Sequence, residues 1–486
     1  MRRVTSFGLG VLLLACLAAC SYTYRIDIQP PDARVSVNGA AVEAGKPVSL
    51  HARSLAVTAL HDGYTDFSGS YRHPFWFGDK KIEIQMARLS YPVQVSVLGA
   101  PVSYTLDTTL TGTTPFSGSL TYGEHHLVVT GSDTTQKTID FAVTGPGSYV
   151  FRPQSTPVPL QPVGVFDCGL QPKQILFSPD DKELFITLLN GKGFQILNLP
   201  ARTMQTVEVE NFGKDVGFVE DIIIPRAPNA TDKDYRLLVS QMTTARLHEY
   251  KLSPDGSVTY VRSFRTGGNW SKVIAYLPQQ DLLAVSNWLS NDVTLLDYTT
   301  ANVVRKLGGL DVPRGMAFTP DGKALAVASF NGGFITEYDT QTWTRTKTIQ
   351  RPAGAAPRHI VVTADGKYYY VSDMARDEVL KVDEATFTIV HSYPTRSNTN
   401  SIDLSSDGRL LAISCRGPNN PAGYELKSPS GGWVMIYDTR NDTLLATIEG
   451  GLQPTGLDIS NDDKLLAFTN FQDPTVEIYS LEGLLK

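Results

Sequence analysis

From Tyr24 onward, apolar and polar residues alternate in short runs with a period of two, the pattern of half-buried β-strands. In "YRIDIQPPDARVSVNG", Pro30-Pro31-Asp32 turns the chain, Arg34-Val35-Ser36-Val37 alternates, and Asn38-Gly39 gives a tight hairpin signal. Asp62-Gly63 supplies a further turn. A second stretch of this kind starts near Tyr91, punctuated by Gly112-Thr113-Thr114-Pro115 and Gly123-Glu124-His125-His126. The pattern predicts two small β-domains, 20–90 and 91–153. His125 and His126 are neighbours in one predicted strand, so they face opposite sides and cannot chelate one ion together. Phe75, Trp76 and Phe77 cannot all enter one core. They either seal a junction between the two modules or form an exposed contact patch.

Past the Pro-rich "RPQSTPVPLQP", a turn running into a small apolar strand keeps returning. The copies are "FSPDDKELFITL" from Phe177, "LPQQDLLAVSN" from Leu277, "FTPDGKALAVAS" from Phe318, "VTADGKYYYVSD" from Val362, "LSSDGRLLAISC" from Leu404 and "ISNDDKLLAFTN" from Ile459. A degenerate copy starts at Ile224. Phe318 to Val362 spans 44 residues and Val362 to Leu404 spans 42, a period that marks a β-propeller with four short strands per blade. One repeat reads as strands over Gly315–Phe318, Ala324–Ser329, Phe334–Asp339 and Arg345–Gln350. Seven copies predict seven blades over 158–486, so the chain is all-β. The last copy has only three strands, and the lone strand "PVGVFDCG" is expected to complete it and close the ring. Asp180, Asp321, Asp365, Asp407 and Asp462 recur in the turn, which makes them turn formers rather than ligands.

The N-terminal "MRRVTSFGLGVLLLACLAAC" has two arginines, an apolar run from Phe7 and then small residues. That is a secretory leader, 1–19, too short for a bilayer span. Its end, Leu17-Ala18-Ala19-Cys20, resembles the lipobox of bacterial lipoproteins. The resemblance implies lipidation of Cys20 and attachment to a membrane surface. Ser21 in the following position points to the outer membrane, with the face left open. An ordinary secretory leader is the alternative.

A net charge of −6 argues against nucleic acid as a partner, which needs a basic footprint. Cys168 and Cys415 lack metal-ligand spacing and read as small apolar residues.

Two further resemblances are carried by these motifs. "PPDARVSVNG" with Gly63-Tyr64 in the first module, and "GTTP" with "GEHH" in the second, resemble PEGA modules, which implies spacing or surface interaction. The ends of strand two, "FITL", "LVSQ", "AVSN", "AVAS", "YVSD", "AISC" and "AFTN", resemble YVTN-type repeats. That family includes seven-bladed lactonases and surface-layer-like proteins, and the resemblance is specific for fold rather than activity.

Loops before strand one and after strand two share the propeller face that opens the channel. Before strand one stand Lys173, Glu220 or Asp221, Lys272, Arg314, Arg358, Asn400 and Thr455; after strand two stand Leu188, Gln241, Asn287, Asn331, Asp373, Arg416 and Asn470. Lys173, Lys272, Arg314 and Arg358 form a cationic cluster in an acidic chain. They either attract an anionic or carbohydrate ligand, with Asn287, Asp373 and Asn470 beside them, or pair with Asp373 and Glu220 as filling of the rim. The insertion Gly417–Gly432 is expected over the same face, as a lid or a passive excursion, with Tyr424 able to reach the channel.

The propeller has three histidines, His248, His359 and His391, and only His359, beside Arg358, is placed to act as a general base. Neither a nucleophile elbow, a metalloprotease motif nor a phosphate loop occurs, and no cofactor or metal is expected. Two functions remain. One is a lipid-anchored envelope protein that binds a protein, glycan or anionic ligand at the channel face. The other is a lactonase-like hydrolase using His359 with Arg314 or Arg358.

Overall fold

A computed structural model describes residues 22–50, 54–72, 79–99, 101–131, 134–209, 218–224, 235–253, 257–424 and 426–484. Cys20 with its leader, and the aromatic run Phe75-Trp76-Phe77, lie outside the described residues. Between 218 and 224 only the backbone path enters the account. The chain divides into two compact units, Met1–Gln94 with Ser117–His125 and Ala142–Gly147, and Val95–Phe116 with His126–Phe141 and Ser148–Lys486.

The architecture is all-β, with two small sandwich-like domains followed by a seven-bladed propeller. In the first small domain, Tyr22–Gln29 is the centre of a three-stranded sheet, between Pro47–Leu50 and a parallel Asp79–Gln85. The facing sheet runs Ala40–Val42, Arg34–Val37, Ser54–Leu60, Phe67–Arg72. Alternation in the sequence becomes alternation in burial: Tyr24, Ile26, Ile28, Val35, Val37, Leu55, Val57 and Ala59 point into one core. The second domain repeats the same strand order, with Phe116–Thr121, Ser90–Val97, Gly147–Phe151 in one sheet and Leu110–Thr113, Ser103–Leu106, Gly123–Thr130, Gln136–Val143 in the other. His125 is buried there, while His126 is exposed and meets Asp140 at 2.5 Å.

Each propeller blade is a four-stranded antiparallel meander. The fourth runs Pro313–Phe318, Ala324–Ser329, Phe334–Asp339, Arg345–Gln350. The seventh takes Pro454–Ile459, Leu465–Asn470 and Thr475–Ser480 from the C-terminus and Gln161–Asp167 from before the first blade. The two ends of the propeller thus share a sheet, and no strand edge is left open at the seam. The core is distributed between neighbouring blades; Ala326 and Ala328 of the fourth, for example, pack on Ile360, Tyr369 and Val371 of the fifth. The recurrent Asp proves to be turn chemistry. Asp321 accepts from Thr319 Oγ1 (2.8 Å) and the Lys323 amide (3.1 Å), while Gly322 takes a φ of +72°. Lys323 and Thr319 hold its carboxyl down at about 2.

Strand one begins earlier than the sequence pattern predicts, and that shift matters. In every blade its register slips so that two residues oppose one on strand two, which is a β-bulge. The skipped pairs are Lys173-Gln174, Val219-Glu220, Lys272-Val273, Arg314-Gly315, Arg358-His359, Asn400-Ser401 and Thr455-Gly456. The single residues opposite them are Thr187, Ser240, Ser286, Ala328, Ser372, Ser414 and Thr469. Their hydroxyls hold the bulge. Ser414 Oγ accepts from the Ser401 amide (3.0 Å) and donates to the Thr455 carbonyl of the next blade (2.9 Å). Ser372 does the same between His359 and Asn400, and Thr469 between Gly456 and Lys173 across the seam. The fourth blade has Ala328 instead, and there Gly315 comes so near the fifth that an added Cβ would lie 2.6 Å from the Arg358 carbonyl oxygen.

Ser414→Ala should therefore strand a buried amide and a buried carbonyl at the sixth–seventh blade junction. A loss of roughly 1–3 kcal/mol is expected in urea unfolding, read as a lower midpoint at unchanged slope.

Candidate functional site

The bulges decide what faces the channel. Lys173, Gln174, Lys272, Val273, Arg314, Arg358, His359, Asn400, Ser401 and Thr455, all bulge residues, line one small cavity open to solvent. The structure thus brings together the four cations that the sequence places on one face. It sets them inside strand one rather than on the preceding loops, each as the first residue of the skipped pair. In the second blade the bulge carries Val219 and Glu220, and Asp221 returns to the ladder opposite Val239.

Three aromatic side chains stand behind the cations. Lys272 Nζ lies 3.7 Å from the Trp288 ring centroid, and the Arg314 guanidinium lies 4.4 Å from both Trp288 and Phe330. Lys173 Nζ and the Arg416 guanidinium lie 5.4 and 5.2 Å from Phe471. Trp288, Phe330, Arg416 and Phe471 each follow strand two directly, and each amide donates to a carbonyl just ahead of strand one, at Trp270, Val312, Asn398 and Gln453. Such contacts fix and partly desolvate a cation without cancelling its charge. Sequence reading missed Trp288 and Phe471 because it stopped one residue early, at Asn287 and Asn470, and Phe330 because it went one residue too far, to Asn331. The signal was present: Leu189, Met242, Trp288, Phe330, Met374 and Phe471 make an almost wholly apolar column just beyond it.

Asn287, Asp373 and Asn470 occupy that last position and are fully buried, so the structure does not bring them to the cavity. Asn287 accepts from Ser271 Oγ (2.7 Å) and donates to Asp292 (2.7 Å) and Thr294 (2.8 Å). Asn470 accepts from the Gly451 amide (2.8 Å) and donates to Thr475 and Glu477. Asp373 accepts from the Ala356 amide (2.8 Å) and lies 3.6 Å from Arg351, while burial pushes its carboxyl up. These groups tie loops to their own blades. Tyr424 is half-exposed on the insertion, and its carbonyl accepts from Gln453 (3.2 Å). Gln472 holds the insertion further through the Leu426 carbonyl (2.9 Å) and the Ser428 amide (2.7 Å).

His359 sits in the channel wall. Burial, with Arg358 beside it, lowers its pKa to about 4, and its Nδ1 accepts from the Ile402 amide at 3.3 Å. A neutral imidazole whose acceptor nitrogen is already used is a weak general base at neutral pH. Arg358 Nε donates to Asn400 Oδ1, and Arg416 donates to Gln453 Oε1. Among the described residues no group of three or more His, Cys, Asp or Glu side chains is placed to hold a metal ion.

A family model described as "Lactonase, 7-bladed beta-propeller" matches residues 334–484. A curated relative, "Antigen Lp49" of Leptospira interrogans serogroup Icterohaemorrhagiae serovar copenhageni, is 35% identical over 327 residues, covering 65% of this chain and 69% of that protein. Among solved structures, Raptor from Chaetomium thermophilum aligns with a TM-score of 0.54 at 11% identity, over 65% of this chain and 28% of that one. At that identity the likeness speaks for the fold alone.

The lowered pKa of His359 carries a pH consequence. Its folded value lies below the ordinary 6.5, so the unfolded chain takes up the proton first. Stability is present above pH 6.5 and is lost as pH falls toward 4. Between pH 7 and pH 5 the wild type should lose roughly 2 kcal/mol more than His359→Asn, measured by urea unfolding at both pH values.

Proposed function

The chain belongs to the family of the Leptospira antigen Lp49, and on that premise we propose a lipid-anchored binding protein of the cell envelope. Its ligand sits at the channel face of the propeller. The observation that carries this reading is the convergence of Lys173, Lys272, Arg314 and Arg358, from four separate blades, on one cavity. Concave sites with a few convergent polar groups are where ligands bind. Charge of one sign gathered in a cleft draws the opposite charge, here in a chain whose net charge is −6.

In this reading lipid on Cys20 anchors the chain to the outer membrane. The two small domains act as PEGA-like spacers, and the YVTN-type propeller presents its face to a protein, glycan or anionic ligand. Crosslinking in intact cells, followed by identification of the captured molecules, tests it. Arg314→Glu with Arg358→Glu should abolish capture while the protein remains folded by circular dichroism. Undiminished capture would remove the channel face from consideration.

Lactone hydrolysis is a second reading, favoured by the family model matched over 334–484. The spent Nδ1 and low pKa of His359 count against it. Purified protein is expected to leave a panel of lactones unhydrolysed. Turnover that His359→Ala abolishes would reverse the order of the two readings.

A further inference from the structure

We infer that the outer rim of the second to fourth blades rests on an anionic lipid surface. The inference rests on the cell-envelope part of the proposed function and makes no use of the channel face.

The fourth strand of each blade forms the rim, and charge is divided unevenly around it. Val258–Arg265, Val303–Leu307 and Arg345–Gln350, of blades two to four, carry Arg262, Arg265, Arg305, Lys306, Arg345 and Lys347 and no carboxylate. Thr203–Glu208, Thr388–Pro394, Thr443–Glu449 and Gln161–Asp167, of blades one, five, six and seven, carry no Lys or Arg and three carboxylates, Glu208, Glu449 and Asp167. Protection of an open strand edge calls for charge on every rim strand alike, so it does not account for this division.

Part of the positive charge is neutralised within the blades. Arg262 meets Glu249 at 2.6 Å, Lys306 meets Asp292 at 3.4 Å and Lys347 meets Glu337 at 3.0 Å. Arg265, Arg305 and Arg345 are exposed, and among the described residues no carboxylate forms an ion pair with them. Arg305 and Arg345 bond the backbone carbonyls of Thr342 (3.3 Å) and Gly309 (2.7 Å), which positions each guanidinium without cancelling its charge. Asp297 and Asp339, on the turns beside these strands, are held there by the amides of Thr300 and Thr342 (each 2.7 Å).

The same strands expose apolar side chains. Tyr260 is 44% exposed, Val261 40%, Val303 46% and Val304 57%. Blades two and three are joined at this edge, where Lys306 Nζ donates to the Gly267 carbonyl (2.5 Å) and Arg262 to the Thr299 carbonyl (2.8 Å). Two exposed pairs on adjacent rims make a patch, whereas Val390 and Leu444 on the fifth and sixth blades stand singly. Apolar groups flanked by arginines match the boundary of an anionic bilayer: the apolar groups leave water and the guanidinium groups stay among the headgroup phosphates. An acidic protein would satisfy the charges alone. The rim of a closed ring is convex and offers such a partner no pocket, while a fluid headgroup layer needs no matching shape.

Flotation of the chain Ser21–Lys486 with lipid vesicles tests this. That chain keeps every described residue and lacks Cys20, so no acyl chain carries it. Binding to phosphatidylcholine vesicles containing about one-third phosphatidylglycerol is expected, with none to phosphatidylcholine alone, and salt of about 1 M should weaken it by screening. Arg265→Gln, Arg305→Gln and Arg345→Gln together should weaken binding roughly a hundredfold, at about fivefold for each arginine. Val303→Ser with Val304→Ser should weaken it about tenfold. Lys182→Gln, Arg440→Gln and Lys464→Gln, the same loss of charge at exposed turn residues of blades one, six and seven, should leave it within about twofold. Undiminished binding by the arginine variant, folded by circular dichroism, overturns the inference. So does an unsubstituted chain that ignores the vesicles; if it binds polyglutamate instead, the rim belongs to an acidic protein. If vesicles are bound but capture in cells does not depend on Arg314 and Arg358, the rim stands and the channel face falls. If vesicles are ignored and that dependence holds, the rim falls and the channel face stands.

Discussion

A one-residue slip in the first strand of every blade, faced by a hydroxyl on the second in all but the fourth, is the constraint on which the propeller's inner surface depends. Without it, successive strand-one side chains would alternate faces, and at most one residue per blade would turn to the axis. With it, both members of the pair line the cavity in the first, third, fifth and sixth blades. The hydroxyl opposite then serves two masters: it accepts from an amide of its own bulge and, at Ser372, Ser414 and Thr469, donates to the next blade's bulge carbonyl. The groups that shape the channel are therefore those that join neighbouring blades, and the site inherits its rigidity from the ring.

The cations exploit that rigidity. Lys and Arg carry more rotamer entropy than other side chains, and a flexible cluster of them would be a poor site. Here Trp288, Phe330 and Phe471 cover their flanks, and those aromatics are anchored by backbone hydrogen bonds immediately after strand two. The charges are thereby pre-positioned and partly removed from water, which strengthens their interaction with an anion. The same low-dielectric wall, with Arg358 beside it, drives His359 to its neutral form and weakens the base that hydrolysis would require.

Buried carboxylates play a separate role at the blade seams. Glu477, on the third strand of the seventh blade, is fully buried and meets Arg152 (2.8 Å), Asn470 (2.7 Å) and Tyr479 (3.3 Å). Gln154 follows with both amide atoms on the Glu449 backbone. The segment ahead of the propeller is thus bonded to its last two blades, and the closing strand Gln161–Asp167 enters from an anchored start. Glu249 and Glu337, at positions that match one another on the second and fourth blades, pair with Arg262 and Lys347 of their own outer strands.

The sequence by itself determined the β class, the sevenfold repeat, the closure by "PVGVFDCG" and the role of Asp321 and its counterparts, because each is a local pattern of period, turn residue or copy number. It also picked out Lys173, Lys272, Arg314 and Arg358 as one cluster, since the repeat aligns them in a single column. Only the tertiary structure decided how that column is presented. A bulge is a register event between two strands, so it leaves no mark on the alternation of one strand alone; Arg314 therefore read as a loop residue and Asn287, Asp373 and Asn470 as rim residues. The burial of those three and the aromatic backing of the cations arise from contacts between segments and between blades, which no single stretch of the chain contains.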